Sequence, residues 1–583
     1  MSTPVVPSLP MNGPEGDAEF WTSIEWNSEE AYVKRLRQRI YRAARNGDLK
    51  QVRNLQKLML RSRANVLTSV RRVTQQSAGR KTAGIDGAIA MTSKTRGALA
   101  RQTLTVPNIP AKPVKRVYIP KANGKVRPLG IPVIRDRVNQ ARLKNALEPE
   151  WEARFEGRSY GFRPGRGCAD AIAAIFQIAC KKSAKRLWVL DADLSAAFDH
   201  ISHHHLMDSL GLFPGRRQIH GWLRAGVMTQ GTYAHTTEGT PQGGVISPLL
   251  LNIALHGMGE SIGANIPTRG TRGDSPALVR YADDFVVLCF TKEQASELKA
   301  ELSDWLAPRG LSFNEDKTRV VHLEEGFDFL GFNVRRYNGK MLIKPSKDAV
   351  QRVKKKIKAT IREHRGRPAE ALVGALSPLV RGWSTYYRHV VSKNTFNKLD
   401  TFTYYALKRW ALYCHPRKTP RWIRERYWGK YELNRENTWV FGSETKHLPK
   451  FSWTGIVRHV MVKGDASCDD PALDSYWKDR ARKRMPGIES KRILTLAARQ
   501  KGLCTRCGQD LIEGAGYDPD DVNDWAKWFT ACHRGIHVHH LTYRSRGGSD
   551  HLGNLEVIHT LCHRQLHAGD RKRTTAPSGQ RPA

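Results

Sequence analysis

The 583-residue chain carries 96 Lys and Arg against 55 Asp and Glu, a formal net charge of +41, and 40% of its residues are apolar. This length calls for several domains, the apolar content excludes a disordered tail, and so large a positive excess is most simply a polyanion-binding surface. No apolar run reaches the roughly 18 residues needed to span a membrane, and the N-terminus lacks the charged-then-apolar order of a signal peptide, so the expectation is a cytoplasmic protein with no membrane partner. The nine cysteines are too scattered for a disulfide framework, yet Cys504, Cys507, Cys532 and Cys562 fall in the last eighty residues beside eight of the 21 histidines, which points to metal.

Residues 1–20, rich in proline, glycine and small polar residues, read as a loose leader. From Ser28 to Gln76 apolar residues recur at helical spacing (Val33, Leu36, Ile40; then Val52, Leu55, Leu58), broken at Asn46-Gly47-Asp48. The other faces are crowded with Arg and Lys, and the scarcity of acids at i±4 favours a bound anion over salt-bridge lacing. From 111 to 335 short β-rich runs alternate with helices: VKRVYIP, KVRPLGIP, a helix near 167–181, the strand RLWVLDADL, the hairpin LVRYADDFVVLCF, and a helix from Thr291 to Leu306 ended by Pro308 and Gly310. This is the pattern of an α+β domain. Residues 344–367 hold ten basic side chains against two acidic ones, on a helix with the apolar stripe Val350, Val353, Ile357 and Ile361. Residues 383–477 interleave seven of the fifteen tryptophans with Arg and Lys, a composition suited both to a small core and to stacking on bases.

The sharpest local feature is Tyr281-Ala282-Asp283-Asp284 between two apolar strands. One Asp at a turn is usually a backbone cap, but a second cluster, Asp191-Ala192-Asp193-Leu194, ends another apolar strand. Carboxylates at the ends of two neighbouring strands can hold two hard divalent cations, the arrangement that activates a 3′-hydroxyl and stabilises a leaving pyrophosphate.

Seven motifs stand in order: IPKANGKVRPLGIP (119–132), SYGFRPGRGCADAI (159–172), DADLSAAFD (191–199), GTPQGGVISPLL (239–250), YADD, LSFNEDKT (311–318) and FLGF (329–332). Together they resemble the group II intron-encoded proteins, which are reverse transcriptases and maturases with a C-terminal HNH endonuclease. The resemblance implies a multidomain α+β chain: a right-hand polymerase of fingers, palm and helical thumb, with a small zinc-stabilised ββα-metal HNH domain. It divides the chain into a leader (1–20), an N-terminal basic helical extension (21–110), fingers and palm (111–338), thumb or maturase domain (339–415), a DNA-binding region (416–485), the HNH domain (486–570) and a tail (571–583). It implies Asp193 and Asp283 as catalytic metal-binding carboxylates with the Leu194 carbonyl as a further ligand and Asp284 as their weaker partner; Asp191 is either a supporting acid or itself touches metal. Lys121 and Arg127 would meet the triphosphate, which suits a point charge plus a fork. Gln242 would border the nucleotide's sugar and base. Retroviral enzymes place a bulky aromatic where this chain has Ala197, so Phe198 is the remaining candidate for selecting deoxyribonucleotides. RGWSTYYR (381–388) resembles the maturase signature, with Arg381, Tyr386, Tyr387 and Arg388 as RNA contacts and Trp383 either core or contact.

Near the C-terminus, a CxxC followed some fifty residues later by an HxxC gives two knuckles and four tetrahedral ligands for structural Zn2+: Cys504, Cys507, His559 and Cys562. The family usually has a cysteine where His559 stands, which makes Cys532 a rival. The remaining histidines resemble the HNH motif. That likeness implies His540 as the general base, His539 and His563 as ligands of one divalent cation such as Mg2+, and His567 as a further ligand on the same helix face as His563. Asn554 would orient the base or complete the shell. A purely structural zinc finger would leave the double histidine unexplained, and the acidic stretch between Gly514 and Thr530 reads as an insertion without an assigned role.

The implied partners are the intron RNA, target double-stranded DNA and deoxynucleoside triphosphates, with Mg2+ at the polymerase site. The implied activity is splicing assistance, target nicking and target-primed reverse transcription. The alternatives are a domesticated reverse transcriptase, which the intact maturase and HNH residues disfavour, and a splicing chaperone with little polymerase activity, which the intact Asp193, Asp283 and Asp284 disfavour.

Overall fold

The computed structural model describes residues 16–106, 110–120, 126–264, 275–432, 435–443, 446–483, 491–506, 511, 536–543, 547–559 and 562–563. Three helices, Trp26–Arg45, Leu49–Arg61 and Arg63–Arg71, follow the predicted N-terminal periodicity. Asp48 and Ser62 cap the second and third by accepting from Gln51 and Asn65 backbone N–H groups, which fixes the breaks between them. Val33, Leu36, Ile40, Val52 and Leu55 are buried as expected, but Leu58 is 41% exposed and Met59 fills its place, because the buried face advances from Leu55 by four residues. The basic faces also differ from expectation. Lys34, Arg37 and Arg45 pair with Asp474, Asp469 and Asp465, and Arg63 and Arg71 with Glu29 and Glu30. Their acids lie far along the chain, out of reach of an i±4 count.

Strands β1 (Val114–Pro120) and β2 (Val126–Ile131) form a hairpin, and β4 (Val227–Thr229) and β5 (Thr232–Ala234) extend its sheet, with β1 parallel to β4. The central sheet has the order β6-β7-β3-β8, built from β3 (Trp188–Asp193), β6 (Ala277–Tyr281), β7 (Asp284–Cys289) and β8 (Arg319–His322), all antiparallel. Its strands alternate cleanly. Leu190, Leu278, Phe285 and Val287 join the core beneath the N-terminal helices, while Val189, Val279, Val286 and Leu288 join the core shared with the C-terminal helices. Both faces are therefore dry. Each such buried side chain contributes about 1.5–3 kcal/mol, so the register that exposes carboxylates only at the strand ends is strongly fixed.

A smaller sheet, β9 (Phe327–Phe329), β10 (Phe332–Tyr337) and β11 (Lys340–Pro345), leads into the helices Lys347–Glu363, Ala369–Tyr387 and Lys393–Cys414. Val353, Ile357 and Ile361 are buried along the predicted stripe. Beyond a two-stranded ladder of β12 (Trp428–Gly429) and β13 (Val440–Phe441), the C-terminal region contributes the hairpin β14 (Ile536–His540) and β15 (Leu555–His559), paired Ile536↔His559 through His540↔Leu555. No helix among the described residues is long and apolar enough to cross a membrane.

Candidate active sites

The β3/β7 register puts Asp193 directly opposite Asp284, with Asp283 in the adjoining turn. Ala282 in that turn is left-handed (φ 60°), a conformation that costs an L-residue about 1–2 kcal/mol. The backbone of Gly161 lies directly beneath, where a Cβ would stand 2.2 Å from the Ala282 nitrogen. Glycine in SYGFRPGRG is thus required by close approach to the YADD turn. Under the same turn Arg280 is 1% exposed, donates to Asn252 Oδ1 at 3.2 Å and faces Glu156 at 3.8 Å.

The three carboxylates perturb one another. Burial first, then a hydrogen bond to Asp193 and the charges of Asp283 and Asp193, push Asp284 up to about 8. Asp283 is raised by burial and by Asp193, against Arg127 and Lys317. Asp284 and Asp193, close enough to share a hydrogen bond, are oxygen donors of the kind a hard divalent cation takes. Lys317 sits on Asp193 as an ion pair, and Asn314 N–H donates to the Asp193 carbonyl at 2.8 Å. Leu194 bridges to Phe313, its side chain buried. Asp191, two residues back on the same face, pairs with Arg319 at 3.2 Å and is raised by burial to about 6.

Arg127, exposed on β2, is close enough to bear electrostatically on Asp283. Lys121 lies outside the described residues. Gln242 accepts from Gly130 N–H through its carbonyl at 2.8 Å, tying its loop to β2. Ala197 and Phe198 are 2% and 9% exposed, and the Phe198 ring meets Phe162 edge-on at 6.1 Å.

The RGWSTYYR segment ends the helix Ala369–Tyr387 and grips the FLGF turn. Tyr386 donates to the Leu330 carbonyl at 3.0 Å and Tyr387 to the Gly331 carbonyl at 3.1 Å, across a turn where both Leu330 (φ 51°) and Gly331 (φ 82°) are left-handed. Tyr387 is 4% exposed and packs on Trp383 and Phe332, so it holds the turn and offers no surface to RNA, which corrects its expected role. Trp383 belongs to the core edge. Arg381 and Tyr386 are exposed, and Arg388 is half-buried.

In the C-terminal hairpin, the ligand atoms of Cys504, His559 and Cys562 lie within 4.8 Å of one another, a soft N/S set fitting zinc. Cys507, Cys532 and His567 lie outside the described residues. His539 is 3% exposed, with His563 at 5.6 Å between rings and Glu556 at 3.4 Å. His540 Nε2 is 2.7 Å from Asp550 Oδ1. The Asn554 amide accepts from Thr542 N–H and donates to the carbonyls of Thr542 and Ser549. It thereby pins the loop after His540.

Family models match four segments: the N-terminal domain of reverse transcriptase at residues 21–103, the reverse transcriptase (RNA-dependent DNA polymerase) at 119–334, the group II intron maturase-specific domain at 350–428, and the HNH endonuclease at 504–569. Protein YkfC of Escherichia coli (strain K12) is 35% identical over 310 residues, covering 46% of this chain and 80% of YkfC. The group II intron-encoded protein LtrA of Lactococcus lactis subsp. cremoris is 29% identical over 285 residues, 38% of this chain and 47% of LtrA. This chain belongs to the group II intron-encoded reverse transcriptase/maturase family, with a C-terminal HNH domain. A further relative, the uncharacterized 91 kDa protein in the cob intron of Schizosaccharomyces pombe, is 27% identical over 380 residues, 52% of this chain. The chain spans about half the length of these last two relatives, 47% and 46%.

Set in this reverse transcriptase/maturase, four residues of the sites went unread in the sequence: Lys317, Arg280, Asp550 and Glu556. Only Lys317 carried a signal, as the one base in LSFNEDKT. The others acquire meaning from partners that no local pattern announces.

Proposed function

We propose that this protein binds the intron RNA that encodes it, assists its splicing, nicks target DNA with its HNH domain, and copies the intron RNA into cDNA from the nicked 3′ end, acting in the cytoplasm. The observation that carries this reading is the opposition of Asp193 and Asp284 beside Asp283 at the end of a doubly covered sheet. The proposed division of the chain is an RNA-binding extension and thumb flanking the fingers and palm, a DNA-binding stretch over 416–485, and the nuclease from 486. Magnesium held by Asp193, Asp283 and the Leu194 carbonyl would supply the charge that activates a 3′-hydroxyl and stabilises pyrophosphate. Arg127, with Lys121, would receive the triphosphate, while Gln242 and Phe198 would border the nucleotide. In the nuclease, His540 would take the proton of the attacking water with Asp550 holding its ring, His539 and His563 would bind a second divalent cation, and zinc on Cys504, Cys507, His559 and Cys562 would brace the hairpin. Arg381, Tyr386 and Arg388 would meet RNA, by shape and phosphate more than by base edges.

The test is Asp283→Ala. Primer extension on an RNA template should fall at least about a hundredfold, while affinity for intron RNA stays within about twofold. Extension at the wild-type rate would defeat the palm reading.

A further inference from the structure

On the N-terminal helices, Lys34 is matched by Asp474 and Arg45 by Asp465. A cleft of about 740 Å³ between the helices Leu49–Arg61 and Arg216–Arg224 is different. Lys57, Arg61, Arg142 and Arg217 line it, none of its lining residues is acidic, and none of these four makes an ion pair among the described residues. Lys57, Arg61 and Arg217 are exposed at its rim. Arg142 is 4% exposed at its floor, on the helix Ile134–Glu152. Its guanidinium donates only to neutral acceptors, Asn139 Oδ1 and the Leu60 carbonyl, both at 2.7 Å, and its Nε has no hydrogen-bond partner among the described residues. Burial pulls this group down to about 10 with no carboxylate opposing the shift.

A buried cation without a counter-charge costs several kcal/mol. Arg163, equally buried, is matched by Glu152 at 2.9 Å, whereas the acceptors of Arg142 are neutral. The walls between the charges are apolar, Leu60, Leu143 and Pro214 among them, and a low-dielectric wall strengthens attraction for an anion. The anion must be multivalent or repeated to answer four charges. A phosphodiester strand has that spacing of charge, and a folded RNA can bend its backbone into a concave site, whereas duplex DNA offers phosphates on a convex cylinder.

We propose that this cleft is a binding site for backbone phosphates of the intron RNA, with Lys57, Arg61 and Arg217 on the phosphate oxygens above the buried Arg142. The proposal rests on the RNA-binding reading above and gives it an address.

The test uses the full-length chain and RNA transcribed from the genomic sequence flanking this reading frame, with affinity measured across about 0.1–0.5 M salt. The triple variant Lys57→Gln/Arg61→Gln/Arg217→Gln changes only exposed positions, and its melting temperature checks folding. Its binding should weaken about tenfold to a hundredfold, and the slope of log K against log salt should become shallower by about 2. The control Lys34→Gln/Arg45→Gln removes bases already matched by acids and should change the slope by less than about 1. A triple variant with the wild-type slope overturns the proposal. Wild-type protein that fails to bind the RNA at all overturns the RNA-binding reading instead. An equal loss on a duplex DNA probe assigns the cleft to DNA, and displacement of the RNA by micromolar inorganic pyrophosphate makes it a small-anion site; either result overturns the assignment to RNA.

Discussion

Asp193 and Asp284 face each other across β3 and β7, two carboxylates directly opposite in an antiparallel ladder. Like charges so placed are destabilising. The sheet tolerates the pair because apolar burial on both of its faces fixes the register, so the repulsion is available to attract cations.

This relationship sets the first prediction. Asp284, pushed up to about 8, must take up a proton to sit beside Asp193 near neutral pH, so Asp284→Asn removes that cost, keeps the shape and should melt higher than wild type in chelator at neutral pH, by an amount equivalent to about 1 kcal/mol. Saturating magnesium should shrink that gap, since the wild-type acids then gain a partner. Asp193→Asn should abolish primer extension, whereas Asp284→Asn should reduce it less. Thermal melts with and without magnesium, beside extension assays, check both halves, and an Asp284→Asn protein less stable than wild type in chelator would contradict the reading.

The Cys504, His559 and Cys562 cluster predicts about one zinc per purified chain by elemental analysis. Cys504 is fully buried in the small C-terminal core with Val557 and Ile558, so metal and packing are coupled there. Cys504→Ser should lose the zinc and expose this region to limited proteolysis, leaving polymerase activity within about twofold. Full zinc occupancy in that variant would defeat the ligand assignment.

Much of this molecule was legible because its chemistry restricts residue types. YADD and DADL could be read as carboxylates gathered at neighbouring strand ends from charge set against apolar strands, and the Val353, Ile357, Ile361 stripe from helical period. What escaped depended on distance along the chain. Lys317 meets Asp193 across 124 residues and Arg37 meets Asp469 across 432, so neither pairing leaves a local trace. Tyr387 escaped for another reason: a tyrosine in a basic segment looks like an RNA contact until its hydroxyl is seen on the Gly331 carbonyl.

His389 supplies a pH prediction. It packs against Phe332 and His459, and its Nε2 has no hydrogen-bond partner among the described residues. Burial, then the nearby His459, lower it from 6.5 to about 4, with Asp170 opposing. The folded state therefore disfavours the imidazolium. Stability from this group is full above about 6.5 and is lost as pH falls from there towards about 4, because the unfolded chain binds the proton first. The loss is on the order of 2 kcal/mol. His459, Asp170 and Arg480 form the facing network, and their own titration is common to both proteins, so the comparison is with His389→Phe. Denaturant melts from pH 7 to 4.5 should show a steeper decline for wild type, and parallel curves would contradict it.

The last prediction concerns the pair His540 and Asp550, with Nε2 and Oδ1 2.7 Å apart. Asp550 follows the loop that Asn554 pins through Thr542 and Ser549, so the backbone leading into this residue is fixed. A carboxylate on one ring nitrogen fixes the tautomer and the plane of the imidazole, leaving the other nitrogen to act on water. Asp550→Asn keeps the shape but turns the acceptor into an amide that can present either atom, and second-strand nicking should fall about ten- to a hundredfold. His540→Ala should remove nicking altogether. In both variants primer extension should persist within about twofold, since the palm carboxylates belong to a separate core. If the fall reflects positioning, Asp550→Glu should recover part of the rate and Asn554→Ala should lose it again through the loop. Nicking at the wild-type rate in Asp550→Asn would remove Asp550 from the mechanism.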